Sequence, residues 1–377
     1  MGEKILCESC VLDSNGLAIH YDIYLDSGLQ SSQYRGVVQI AHGMIEHRAK
    51  YKAIAEFLAK NGFIVAINDH RGHGDSVNCE PPLQKSTQDL SKSMQDSKLD
   101  SRESNIDCHD SPTDKSRNNS VDLPKKDSLQ NSDKIYLGEM GANGFETALD
   151  DMHNLHLALK SRFKPKKFIL IGHSMGSLLS RRFLQEYESC LDMLVLCGTP
   201  KPEPFINVGI AFLKILRFFG LKNIARDFAN KFSLLSFNAK YAKIDNLADG
   251  QNSGTFWINR DTAELKRKLG DYKQNFTFSI DSFINLFAGL RRVFSPYPRK
   301  VANPSYESRL PILMISGEDD ACGGFGKGAI CAFKHIVAQG YGNARLILYA
   351  NARHELFLEL NKDEVFSDIL SFIKRNL

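Results

Sequence analysis

Phe168-Ile169-Leu170-Ile171-Gly172-His173-Ser174-Met175-Gly176-Ser177-Leu178-Leu179 is the stretch on which the reading of this chain turns. Its apolar first half has the length and type of a buried strand, and Leu178, Leu179 and Phe183 then open a helical stripe. Strand, sharp turn and helix follow one another, with Ser174 at the turn between Gly172 and Gly176. Gly-x-Ser-x-Gly alone is a weak pattern, and its context decides it. A serine exposed on a strained strand-to-helix turn needs small neighbours, because larger side chains would collide where strand and helix nearly touch.

The alternation of strand and helix extends to both sides of this turn. Residues 5–12 and 17–25 alternate around Asn15-Gly16 and predict a hairpin. Residues 36–41 predict a short buried strand that runs into His42-Gly43-Met44-Ile45-Glu46-His47, followed by an amphipathic helix near 50–60. The strand at 63–68 closes on Asp69-His70-Arg71-Gly72-His73-Gly74-Asp75-Ser76. Leu149, Met152, Leu155 and Leu159 mark one face of a helix over 145–163, and strands follow at 193–197, 312–316 and 345–349. Helices near 326–339 and 365–377 complete the series. This order predicts an α/β protein with a mostly parallel central sheet, helices on both faces and a helical cap insertion.

Two stretches break the rhythm. Residues 79–134 are dense in Ser, Asp, Lys and Asn and hold no Phe, Tyr or Trp, so they read as a low-complexity surface insertion that buries too little to order itself. Residues 200–305 open with Pro200, Pro202 and Pro204, continue through the apolar stretch 205–221, and read as a cap over the sheet. The expected core is therefore 1–78, 135–199 and 306–377.

With 377 residues, 42% hydrophobic, 24% charged and a net charge of +4, the composition is that of an ordinary globular chain and gives no argument for nucleic acid. The first residues lack the unbroken apolar segment of a signal peptide, and no later run approaches a spanning length, so a cytoplasmic protein is expected, with peripheral membrane contact through the cap as an added expectation. Eight cysteines in such a chain are most simply free thiols. Cys7-Glu8-Ser9-Cys10 falls in a predicted strand with no second pair, and the spacing of His42, His47, His70 and His73 fits no familiar zinc pattern. No metal and no cofactor is expected. Lys327 among Gly323, Gly324, Gly326 and Gly328 fails the test for a phosphate loop, because Ala321 stands at the first required glycine and Gly328 at the Ser or Thr.

A serine hydroxyl is a poor nucleophile until a base takes its proton, and the base needs a carboxylate to hold its tautomer. Both partners are expected in loops at the carboxyl ends of later strands. His354, in Ala352-Arg353-His354-Glu355, is the base candidate. Glu318, Asp319 and Asp320 compete as the acid; Asp320 is preferred because it stands three residues past Gly317, which leaves room for the chain to turn back, and Asp319 is next. The backbone N–H groups of Met44 and Met175 are the candidate oxyanion donors, with His42, Gly43, Glu46, His47, Gly172, His173 and Gly176 shaping the loops around them.

On these motifs the chain resembles the α/β-hydrolase family, and within it the bacterial monoacylglycerol lipase and lysophospholipase-like group. The resemblance rests on His42–His47, Asp69–Ser76, Gly172–Gly176, Ser316–Asp320, Gly324–Gly328 and Ala352–Glu355. It implies that Ser174, Asp320 and His354 form a triad and that Met44 and Met175 build the oxyanion hole. It also implies hydrolysis of carboxylic esters of a small lipid-like substrate such as a monoacylglycerol or lysophospholipid. An amide-cleaving aminopeptidase of the same fold and a non-catalytic partner-binding protein stay open as other readings.

Overall fold

The computed structural model describes residues 4–14, 16–77, 108–109, 137–231, 236–243, 254–297 and 308–377. β1 (Ile5–Ser14) and β2 (Leu17–Asp26) form the expected antiparallel hairpin, with Ser14 opposite Leu17 across the turn. β3 (Gly36–Ala41), α1 (Lys52–Lys60) and β4 (Phe63–Asn68) follow, each strand buried along its whole length. The expectation for residues 79–134 lies outside the described residues, except that Cys108–His109 form β5, a two-residue strand paired antiparallel with β1.

The chain then alternates through α2 (Gly144–Phe163), β6 (Phe168–His173), α3 (Met175–Tyr187) and β7 (Met193–Cys197). α4 (Ile206–Phe218), α5 (Lys222–Asn230), α6 (Thr262–Gly270) and α7 (Ile280–Val293) occupy the stretch expected to cap the sheet. β8 (Ile312–Gly317), α8 (Lys327–Ala338), β9 (Ala344–Tyr349) and α9 (Lys362–Arg375) close the fold.

The strands form one sheet in the order β5-β1-β2-β4-β3-β6-β7-β8-β9, parallel from β4 to β9. Alternate residues of each strand point to opposite faces and feed two apolar clusters. Phe168 and Leu170 pack with Leu149 and Leu155 of α2, Phe183 of α3 and Phe283 of α7, while Ile169 and Ile171 pack with Ile54 of α1 and Phe366 and Ile369 of α9. α7 is thus part of the packing on its face of the sheet. The aliphatic runs of β3, β4, β6, β7 and β8 are fully buried because parallel strands inside the sheet are covered on both sides, while β9 at the edge is only partly buried.

The topology also selects where a ligand can sit. From β3 the chain steps outward to β4, then returns to place β6 on the other side of β3. The carboxyl ends of β3 and β6 therefore diverge and leave a crevice between their loops. The loop after β3 carries His42–His47, and the turn after β6 carries Ser174.

Candidate active site

Ser174 separates β6 from α3 at φ 53°, ψ −117°, a backbone conformation that L-residues avoid. Its neighbours make room for it. A Cβ on Gly172 would overlap the Gly176 carbonyl and the Ser180 hydroxyl, and one on Gly176 would overlap the carbonyl of Ala41 at the end of β3. The elbow is tied down by the Ser174 N–H, which donates to the Cys197 carbonyl at 3.0 Å.

His354 Nε2 stands 2.9 Å from Ser174 Oγ, and His354 Nδ1 stands 3.0 Å from Asp320 Oδ2. Asp320 is fully buried and His354 is 4% exposed, so the relay is held away from bulk water. The loops that carry them are joined directly: the N–H groups of Glu318 and Asp319 donate to the carbonyls of Tyr349 and Ala352, each at 3.0 Å. Gly317 permits this approach, since a Cβ there would overlap the carbonyls of Ala352 and Arg353. Of the three competing carboxylates, Asp320 meets the imidazole; Asp319 instead bonds Lys240 at 2.9 Å, and Glu318 is exposed.

Burial by itself opposes the imidazolium of His354. The Asp320 carboxylate and its hydrogen bond, with the charges of Glu46 and Glu355, outweigh that effect and hold His354 above the ordinary imidazole range. The ring beside Ser174 Oγ is thus prepared for positive charge. Trp257 covers this ring, with centroids 5.1 Å apart.

The loop after β3 folds against the elbow. A Cβ on Gly43 would lie 3.1 Å from Ser174 Cβ and 2.9 Å from Glu46 Oε2, so the glycine is wedged between the two. Glu46 holds it there by accepting the Gly43 N–H at 2.9 Å. Ile45, a β-branched residue, takes φ 59° to make the turn. Met44 follows the glycine wedged against Ser174, and Met175 follows Ser174 itself, so the backbone on both sides of the serine carries a candidate oxyanion donor. Met175 is the first residue of α3, where the helix dipole also favours negative charge.

The remaining site-shaping residues divide by role. His42 donates from Nδ1 to the Gly43 carbonyl at 2.7 Å and accepts the His70 N–H on Nε2 at 2.9 Å. Burial pushes His42 and His70 well below the ordinary imidazole range and His73 to about 4, so this trio packs as neutral rings. His173 meets the Tyr51 hydroxyl at 2.8 Å and the His354 carbonyl at 3.1 Å, bracing the base loop. His47 bonds Asp271 at 2.7 Å, linking the loop to the residue that follows α6.

Sequence reasoning passed over Lys50, Tyr51, Glu355 and Trp257 as site components. Glu46 and Lys50 carry a readable signal, an opposite-charge pair at i,i+4, and the structure joins them at 2.6 Å. Glu355 and Trp257 carry none, because their contacts with Lys50 and His354 cross the fold, and Tyr51 bonds Glu46 at a separation that no helical period signals.

Comparison with known proteins agrees with this architecture. A carboxyl esterase from Bacillus coagulans superposes with a TM-score of 0.67 at 22% identity over 98% of both chains. A lipase in its open form gives 0.70 at 21% identity over 98% of this chain and 99% of that one. A monoacylglycerol lipase of Mycolicibacterium smegmatis is 39% identical over 61 residues, which span 16% of this chain and 20% of that relative. A model of the α/β hydrolase fold matches residues 36–359, a span that contains the elbow and all three loops around it, and the chain belongs to that family.

Proposed function

We propose that this protein is a serine hydrolase that cleaves carboxylic ester bonds of lipid-like substrates, monoacylglycerols or lysophospholipids, through an acyl-enzyme on Ser174. The observation that carries this reading is the unbroken relay Ser174 Oγ, His354 Nε2, His354 Nδ1, Asp320 Oδ2, with both gaps at hydrogen-bond distance. His354 takes the Ser174 proton as Oγ attacks the ester carbonyl, and Asp320 keeps the other ring nitrogen protonated. The N–H groups of Met44 and Met175 receive the oxyanion. Collapse of the tetrahedral intermediate expels the alcohol, which takes the proton from His354. Water then attacks the acyl-enzyme by the same route and releases the acid, so no cofactor is required.

The preference for a lipid-like acyl group rests on the apolar cap and on the short match to a monoacylglycerol lipase. α4 and α5 leave Phe205, Val208, Ile215, Phe218, Phe219 and Ile224 exposed, Phe205 by 80% and Phe218 by 85%. Residues 205–231 also hold five basic residues and one acidic. No helix of the described residues is long and apolar enough to cross a membrane. We propose a cytoplasmic protein whose cap touches a membrane surface, as an amphipathic basic surface does.

A fluorophosphonate probe tests the mechanism. Ser174 is expected to be labelled, and Ser174→Ala to lose both labelling and hydrolysis of monoacylglycerol, lysophospholipid and p-nitrophenyl esters. Full esterase activity in Ser174→Ala would overturn the reading, and faster turnover of aminoacyl amides than of any ester would replace the substrate class.

A further inference from the structure

Behind the loop after β3 lies a cluster of charges that the acyl-transfer steps do not use. The Lys50 ammonium is 5% exposed and sits between two carboxylates, 2.6 Å from Glu46 Oε1 and 2.5 Å from Glu355 Oε1. The other oxygen of Glu46 accepts the N–H of Gly43 at 2.9 Å and the Tyr51 hydroxyl at 2.6 Å. Glu355 is the residue after His354, and its N–H donates to the Ile258 carbonyl at 2.9 Å. One buried cation thus bridges the loop that presents Met44 and the loop that presents His354.

We infer that Lys50 is a positioning residue for the hydrolytic reaction, clamping Glu46 and Glu355 so that the oxyanion loop and the general base are held in register on either side of Ser174. Among the described residues no backbone hydrogen bond joins the two loops directly; His173 connects them through the Tyr51 hydroxyl and the His354 carbonyl. A carboxylate on each, drawn to one shared ammonium, supplies a direct link between them, and burial strengthens it because water does not compete.

The same cluster acts on His354 through space. Glu46 and Glu355 both favour its charged form. Glu46 in turn faces Lys50, His173 and, from the cap, Lys268. Burial opposes the charge on Lys50, and the two carboxylates outweigh it, so the ammonium is retained. Lys268, set beside the same two carboxylates, is then the cation that still faces them, so removing the Lys50 charge leaves them only partly balanced near His354 and raises its pKa; removing the charge of Glu355 lowers it.

The inference rests on Ser174 being the nucleophile, and the readouts separate the two. Fluorophosphonate labelling rate is followed across pH, together with kcat and KM for p-nitrophenyl butyrate. In Lys50→Met, labelling rate and kcat are expected to fall about ten- to a hundredfold with KM little changed. The acid limb of the profile should move to higher pH, and Lys50→Arg should return both rate and limb towards the parent. Glu355→Gln, nearly isosteric, should lower kcat and move the limb to lower pH; it decides the question alone if Lys50→Met does not fold. Folded variants with the parent's labelling rate and limb would overturn the inference. So would a rate loss matched by the lost fraction of titratable sites with an unmoved limb. A parent protein that takes no label would instead overturn the assignment of Ser174.

Discussion

Ser174 and Asp320 illustrate how single residues are committed by their surroundings. The serine is held at a positive φ only because β6 and α3 over-determine the turn. Asp320 is fully buried, and its attraction for the imidazolium is correspondingly strong. Asp320→Asn is expected to lower kcat by about four orders of magnitude, as loss of the tautomer-setting carboxylate does in serine hydrolases generally. The sign of the accompanying pH effect follows from the raised pKa of His354. The base works only when neutral, so activity rises with pH through that pKa; without the Asp320 charge the pKa falls, and the acid limb of the residual activity should move to lower pH. A pH profile of kcat/KM checks both points.

At the scale of elements, the site is a consequence of how closely neighbouring loops and helices approach. Gly317 lets the end of β8 lie against the turn after β9, and that contact delivers Asp320 to His354. Gly317→Ala is expected to push the two loops apart, destabilising the fold by about 1–3 kcal/mol. It should also cut kcat by about a hundredfold through misplacement of the relay. Urea titration and kcat on a short ester measure the two effects separately. Gly176 does the same for α3 against the end of β3, where a Cβ would meet the carbonyls of Ala41 and His42.

At the scale of the whole molecule, the two sides of the cap behave differently. The side next to His354 is pinned: Arg353 donates to the carbonyls of Phe256 and Asn259 at 2.5 and 2.9 Å, and Arg260 pairs with Glu359 at 2.9 Å. The side built from α4 and α5 buries Ile210 and Leu213 but turns Phe205, Val208, Ile215, Phe218, Phe219 and Ile224 outward. If that face meets a membrane, the double substitution Phe218→Asp and Phe219→Asp should reduce co-sedimentation with anionic vesicles about tenfold or more, since it removes two apolar anchors and adds charge of the wrong sign. Hydrolysis of a soluble short ester should stay unchanged, because neither side chain lies among the contacts of Ser174, His354 or Asp320.

The reach of the sequence ends where local pattern ends. Period-two and period-3.6 spacing, the glycines at 172 and 176, and the order of strands followed by polar loops already determined an α/β sheet with Ser174 at an elbow and His354 in a later loop. Those features depend on residues within a few positions of one another, so no other part of the chain was needed to read them. Spacing past Gly317 already favoured Asp320 over Asp319, and tertiary structure brought Asp320 to His354 while Asp319 meets Lys240, a difference in the direction each faces once β8 and β9 are in register. It also decided that Lys50 bridges Glu46 to Glu355, a contact across 305 residues, and that the apolar face of α4 and α5 stays uncovered. Such facts depend on which surfaces lose water together, and that is settled by packing across the whole fold.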